Sequence, residues 1–349
     1  MKSILFASTA LVAFAGAAAA QGVSLTGLAE MGIYNSDGHA NDNGDDTEFF
    51  SDIDVTFTLS GETDNGLTFG ASVDLDEADQ LANEDQDADF TVFISGAFGT
   101  LTMGDTDGAL DWAITDASVG SAGSINDDET EHNGYLGGNP FDSFYDGQIL
   151  RYDNTFGAFG VALSAQIDDG RDAAGAQVVA PAVSNQSDPV IGIGFRYALD
   201  LGGSTVNFGL GYESTSVDAV GAFTRGGVAR LPGDYDAVGF SVAGTFSGVS
   251  AALSYISVDG PVAAATFNYD HVGIGLGYTT GPITVAANYG NFDYDDGDEK
   301  DGYALTAGYD LGGGASILFG YSDGTTKNGP VAGVGVDESS YSLGVSMSF

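Results

Sequence analysis

The sequence predicts an all-β protein: a 16-stranded antiparallel transmembrane β-barrel with a long inward-folded third loop. Three observations lead there. Short segments alternate apolar and polar residues with period two, as strands with two unlike faces do. The connections between them alternate short and long. After the N-terminal segment there is no run of about twenty apolar residues, so any membrane crossing falls to strands, not helices.

The alternation starts at Val23, where Val23, Leu25, Gly27, Ala29, Met31 and Ile33 form one face and Ser24, Thr26, Leu28, Glu30, Gly32 and Tyr34 the other. Next, Ile53, Val55, Phe57 and Leu59 alternate with Asp52, Asp54, Thr56, Thr58 and Ser60. After a turn at Gly61–Gly66, Leu67, Phe69, Ala71, Val73 and Leu75 alternate with Thr68, Gly70, Ser72, Asp74 and Asp76. Further strands are expected at about 88–97, 99–105, 147–155, 158–167, 189–199, 204–214, 234–246, 248–258, 271–280, 282–292, 301–311, 314–323 and 339–349.

Tight turns fall near Asp64, Gly96, Thr155, Gly202, Ser247, Gly281 and Gly312. Long polar loops occupy about 35–48, 78–87, 106–146, 168–188, 215–233, 259–270, 293–300 and 324–338. One end of the barrel is thus trimmed and the other elaborated. Val262–Tyr269 also alternates, but as a seventeenth strand it would break this order, so it is assigned to a loop or a strand extension. An even count lets the last strand, with Tyr341, Leu343, Val345, Met347 and Phe349 on its apolar face, pair with the first and leave no edge.

A soluble β-sandwich also alternates. Here, however, the apolar faces are rich in Ala, Val and Leu, with aromatics near segment ends: Phe195, Tyr197, Tyr212, Tyr255, Tyr278, Tyr289 and Tyr309. That is the pattern of a lipid-facing band between aromatic girdles around a wet interior. Sixteen strands enclose an aqueous channel instead of a packed core.

The ends and the composition agree with export. Residues 1–20 read as a secretory signal peptide: Lys2, the apolar run Ile4 to Phe14, then Ala17–Ala20 before a cleavage at Gln21. The barrel then covers 21–349. Cys is absent, so no disulfide holds it. Eight Lys and Arg against 50 Asp and Glu give a net charge of −42, a surface that repels nucleic acid. The 22 Phe, 16 Tyr and 54 Gly, arranged periodically, argue against disorder.

Between Gly104 and Gly147 the alternation stops, for far longer than the roughly 12–15 residues of an ordinary connection. This acidic segment is expected to fold into the barrel and narrow the pore, with 106–146 as the constriction loop.

Three stretches resemble the trimeric general-diffusion porins of Gram-negative outer membranes, most closely the alphaproteobacterial branch. They are Ser60-Gly61-Glu62-Thr63-Asp64-Asn65-Gly66-Leu67-Thr68-Phe69-Gly70, then Ser95-Gly96-Ala97-Phe98-Gly99-Thr100-Leu101-Thr102-Met103-Gly104-Asp105, then Leu150-Arg151-Tyr152-Asp153-Asn154-Thr155-Phe156-Gly157-Ala158-Phe159. The resemblance implies a homotrimer in outer-membrane lipid and lipopolysaccharide. It also implies passive diffusion of small hydrophilic solutes and ions past an inward third loop. The chain departs from the family where relatives often carry Arg on the second strand, since Asp52 and Asp54 stand there. By alternation only Arg151 and Arg196 are inward cations, each able to complete an eyelet or to tie the loop to the wall, with the eyelet favoured for Arg151.

Most acids read as solvated loop charges. Glu30, Asp52, Asp54, Asp74, Asp76, Asp105, Asp107, Asp111 and Asp116 are candidate pore-lining residues, and an acid-lined pore concentrates cations. Crowded carboxylates also suit Ca2+ held by oxygen ligands. Asp127, Asp128, Glu129 and Glu131 are candidates, as are Asp293, Asp295 and Asp298, whose run partly matches the start of a calcium loop. The glycine-rich Leu201 and Leu311 turns lack the Lys and helix of a phosphate loop. His39, His132 and His271 have no metal or nucleophile spacing and read as surface residues. No catalytic residues are expected. A solute-specific channel, a barrel enzyme and a non-conducting adhesive or structural barrel remain the alternatives.

Overall fold

In a computed structural model one sheet closes on itself. The structure describes residues 22–37, 47–76, 90–137, 140–142, 148–167, 188–217, 224–225, 228–229, 232–261, 268–327 and 335–349. Residues 1–20 and most of the expected loops at 35–48, 78–87, 168–188 and 324–338 lie outside them. The barrel strands are β1 Gly22–Asp37, β2 Glu48–Glu62, β3 Thr68–Asp76, β4 Phe90–Gly96, β5 Gly99–Asp105, β6 Gln148–Phe156, β7 Phe159–Gln166 and β8 Val190–Asp200. They continue as β9 Ser204–Val217, β10 Gly233–Phe246, β11 Val249–Asp259, β12 Tyr269–Thr280, β13 Ile283–Tyr294, β14 Glu299–Gly312, β15 Ala315–Lys327 and β16 Gly335–Ser348.

Every strand pairs antiparallel with its neighbour in sequence, and β16 returns to β1 from Leu28↔Ser348 to Asp37↔Ser339. The last residue completes this seam: the Phe349 N–H donates to the Gly27 carbonyl at 2.9 Å, and the Gly27 N–H donates back at 3.3 Å. A closed ring leaves no unpaired row of backbone groups, which is what hydrocarbon demands.

Burial is inverted relative to a water-soluble fold. Val23, Leu25, Met31, Leu163, Leu210, Ile274 and Leu276 are exposed, whereas Ser164, Ser241, Ser254, Ser322, Ser340 and Ser342 are buried. At about 25 cal/mol per Å² of apolar surface, such an exterior is stable only against lipid. Tyr197, Tyr278 and Tyr309 ring the turn end, and Tyr212, Tyr255 and Tyr303 the loop end, all exposed. At the loop end the hydroxyls reach rim acids: Tyr255 donates to Asp270 at 2.7 Å, and Tyr212 to Asp236.

The turns follow local chemistry. Ser247 and Gly248 both take positive φ, 49° and 83°, the primed hairpin turn that matches strand twist. One long loop expected at 293–300 is instead a turn of four residues. Asp293 pairs with Glu299, the Tyr294 N–H donates to the Asp298 carbonyl at 3.0 Å, and Gly297 supplies φ 90°. Acids at a wet rim do not disrupt a ladder, so composition alone misplaced its end.

Candidate pore constriction

The third connection leaves the wall at Gly104, whose φ of 128° and absent side chain let the chain bend past the Phe90 carbonyl. It forms helix α1, Ala109–Ala113, which has no side-chain cap of its own because its N-cap residue is Gly108. The wall and the loop's far end supply the acceptors instead. Gly108 N–H donates to Asp142 Oδ2 at 3.0 Å, Ala109 N–H to Ser164 Oγ at 2.9 Å, and Leu110 N–H to Glu213 Oε1 at 3.2 Å. Carboxylates at a helix N-terminus also suit its partial positive charge. Leu110, Ile114 and Phe141 then pack with Val190, Val217, Tyr235, Ala237, Ile256 and Val258, an apolar core lying between loop and wall.

Farther along, Thr115 N–H donates to Ser241 Oγ at 2.9 Å, and Ser121 Oγ lies 2.8 Å from Thr306 Oγ1. A short 3₁₀ turn, Asp127–Glu129, places Glu129 at 0% exposure against β15 and β16. Its two carboxylate oxygens accept from Ser340 Oγ at 2.6 Å and Ser342 Oγ at 2.7 Å. The loop is therefore fastened round the inner wall from β7 to β16.

Both described histidines belong to this seam, which corrects their surface assignment: His132 is 3% and His271 2% exposed. His132 Nδ1 accepts from the Gly134 N–H at 3.2 Å, so its Nε2 carries the proton toward Asn288 Oδ1 at 2.5 Å. His271 Nε2 donates to the Gly134 carbonyl at 2.9 Å. Burial, with the neighbouring His271 ring, pushes the His132 pKa down to about 4 against the Asn288 bond. A polar residue looks like a water-facing one in sequence; His271 and the Gly134 carbonyl it meets are 137 positions apart, and His132 and Asn288 are 156. His39 lies outside the described residues.

Arg151 and Arg196 both meet the loop root. Arg151 Nη1 donates to the Asp107 carbonyl at 2.8 Å and lies 3.4 Å from Asp107 Oδ2, while its Nε lies 3.4 Å from Asp153 Oδ1. The guanidinium of Arg196 stacks 4.3 Å from the Trp112 ring centroid, a cation–π contact onto α1. Trp112 escaped the sequence reading, although it is the chain's single Trp and sits within the acidic loop.

The acids divide. Glu30, Asp52, Asp54 and Asp74 share the inward parity of β1–β3, opposite the exposed Met31, Ile53, Phe57 and Leu75. Register sets Glu30 across from Asp52, and Asp54 across from Asp76. Thr56 Oγ1 donates to Asp74 Oδ1 at 3.0 Å. Asp107, Asp111 and Asp116 lie on the loop. Burial first, then Asp107 and Glu131, raise the Asp116 pKa to about 7, with Arg196 opposing. Asp111 is raised by burial and by Asp107, Asp116 and Glu213, and Asp142 by burial, Glu213 and Asp111. Asp105 departs from its expected pore-lining role: it is exposed on the parity of Leu101 and Met103, the outward face, at the end of β5.

Of the candidate calcium ligands, Glu129 is engaged by the two serines. Asp295 Oδ2 accepts from Asn268 at 3.2 Å. The side chains of Asp76 and Asp128 lie outside the described residues. Among the described residues no three His, Asp or Glu side chains gather as a metal site.

A loop strapped inside a closed barrel with a lipid-facing exterior is the architecture of a wide aqueous channel. The family model described as Gram-negative porin matches residues 7–329. The chain belongs to the Gram-negative porin family. A porin of Rhodobacter capsulatus is 33% identical over 331 residues, which are 90% of this chain and 98% of that protein. The structure of a porin refined at 1.8 Å resolution superposes with TM-score 0.67 at 29% identity, covering 94% of this chain and all of the other. An engineered Rh. blastica porin shares the fold, with TM-score 0.60 at 18% identity over 94% of this chain and 100% of that one. The protein is an outer-membrane porin for passive diffusion, and it is not an enzyme.

Proposed function

We propose that this porin is a cation-preferring channel for small hydrophilic solutes and ions. The observation that carries the reading is the row of acids on β1–β3, where Glu30 opposes Asp52 and Asp54 opposes Asp76. Like charges set directly across a ladder cost stability. Glu30, Asp52 and Asp54 are half-buried on the inward parity, and in their ionised form their field draws cations into the narrowed pore. The two lumenal arginines do not offset it, since Arg151 meets Asp107 and Asp153, and Arg196 lies on Trp112.

The working unit is proposed to be a homotrimer in lipid and lipopolysaccharide, with residues 1–20 removed on export. Chemical cross-linking of the purified protein and N-terminal sequencing from Gln21 test these two points. Calcium is proposed on the acidic loops, where crowded carboxylates offer oxygen ligands. Its test is calorimetric titration at fixed ionic strength, with magnesium as the comparison. Solute preference is tested by liposome swelling with amino acids of equal size and opposite charge. Faster entry of the cationic solute is expected; equal or reversed rates would overturn the preference.

A further inference from the structure

The inner wall carries glycine where the loop passes over it. Gly194 on β8 lies under the carbonyl of Ala109, and a β-carbon there would stand 2.0 Å from that oxygen. Gly209 on β9 meets the Ala113 carbonyl at 2.0 Å, and Gly275 on β12 the Ala117 carbonyl at 1.7 Å. Gly277 follows under Gly120, Gly308 on β14 under Ala122, and Gly320 on β15 under Ser124 and Glu129. As the loop advances from 109 to 129, these contacts advance in strand order round the barrel.

None of these six adopts a positive φ, so backbone conformation does not call for glycine. Glycine within a strand is costly in entropy, and alanine would be the more stable choice on a bare wall. The missing side chains serve space. We infer that this track of glycines is the device that positions the constriction. At Gly194, Gly209, Gly275 and Gly277 the loop's main chain beds directly on the wall's main chain, and at Gly308 and Gly320 its first side-chain carbons do, so the width of the eyelet is set by wall residues that never meet the solute. These are positioning residues, and the inference rests on the loop being the constriction.

The test is single-channel recording of Gly275→Ala in the full-length porin. Its methyl group pushes the Ala117 carbonyl toward the pore axis, so lower conductance and added flicker are expected while the barrel's heat resistance on gels is kept. Gly27→Ala, whose new β-carbon meets its nearest neighbour, the Asp54 carbonyl oxygen, at 3.3 Å without touching the loop, is expected to conduct as the wild type does. A size swap guards against a folding defect. The β-carbon of Gly308→Ala would lie 2.5 Å from that of Ala122, so the single variant is expected to lose conductance and Gly308→Ala with Ala122→Gly to recover it.

A lone thiol from Ile114→Cys, in a chain without cysteine, reports lifting of the loop by its rate of labelling. Wild-type conductance together with an unreactive thiol in Gly275→Ala would overturn the track. A reactive thiol with unchanged conductance would support the track and remove the loop from the constriction.

Discussion

The two arcs of the inner wall face different neighbours and are built differently. From β7 round to β16 the wall carries glycine, small hydroxyl side chains and the apolar patch of Val190, Val217, Tyr235, Ala237, Ile256 and Val258, and the loop lies on it. Across β1–β3 the inward parity carries Glu30, Asp52, Asp54 and Asp74, half-buried, and the loop reaches β1 where Ile125 meets Gly32. The same alternation puts all of these positions inward. What occupies them depends on whether protein or water is the neighbour: the covered arc needs room and hydrogen-bond acceptors, whereas the open arc tolerates charge. Even the carboxylate in the covered arc, Glu213, is engaged by the Leu110 N–H and by Ser164.

The comparison is broken most severely by exchanging the charge of the open arc. Asp52→Arg with Asp54→Arg replaces two negative charges by two positive ones. Unit charges a few ångströms apart interact by about 1 kcal/mol in bulk water and several-fold more strongly near protein. The ion preference of the pore should therefore change sign, read as the ratio of potassium to chloride permeability.

On the covered arc the largest effect is expected from Glu129→Ala. It leaves the Ser340 and Ser342 hydroxyls without their carboxylate, at about 1–3 kcal/mol. The far end of the loop should loosen, giving noisy open channels and faster proteolysis between 120 and 135, with little change in ion preference.

Acidity sharpens the contrast further. His132 titrates near its ordinary 6.5 when released and near 4 when docked, so docking loses stability as pH falls from 6.5 to 4. Asp116 goes from 3.8 released to about 7 docked, so its contribution is lost as pH rises through that range. Asp111 and Asp142 are raised in the same direction as Asp116, so the three carboxyls together oppose the His132 contribution. His132→Asn removes that contribution, so its loop should seat more firmly than the wild type's below about pH 6, seen as less flicker in recordings from pH 4 to 8. The smallest effect is expected from Arg196→Ala. It removes one cation–π contact of about 1 kcal/mol and one positive charge, so cation preference should rise slightly without loss of the fold.

Much of the fold is readable in the sequence, because a barrel writes its two faces into period two and its two ends into loop length. Ile53, Phe57 and Leu59 against Asp52 and Asp54 need no structure to be sorted. The seat of the loop is another matter. Main chain resting on Gly194 or Gly275 leaves no side-chain signature, and an inward glycine reads as a small pore-facing residue. His132, His271 and Glu129 are polar residues whose partners, Asn288, Gly134, Ser340 and Ser342, stand far along the chain or depend on the loop's path. Asp105 stands beside the acidic loop in sequence, whereas its exposure and parity place it outward.

The central claim is that the open acidic arc, not the arginines at the loop root, governs what passes. The zero-current potential of the purified porin in a planar bilayer under a potassium chloride gradient tests it most directly. The account predicts a cation-selective potential that shrinks as salt screens the carboxylates. A potential near zero, or one of the opposite sign, would contradict it.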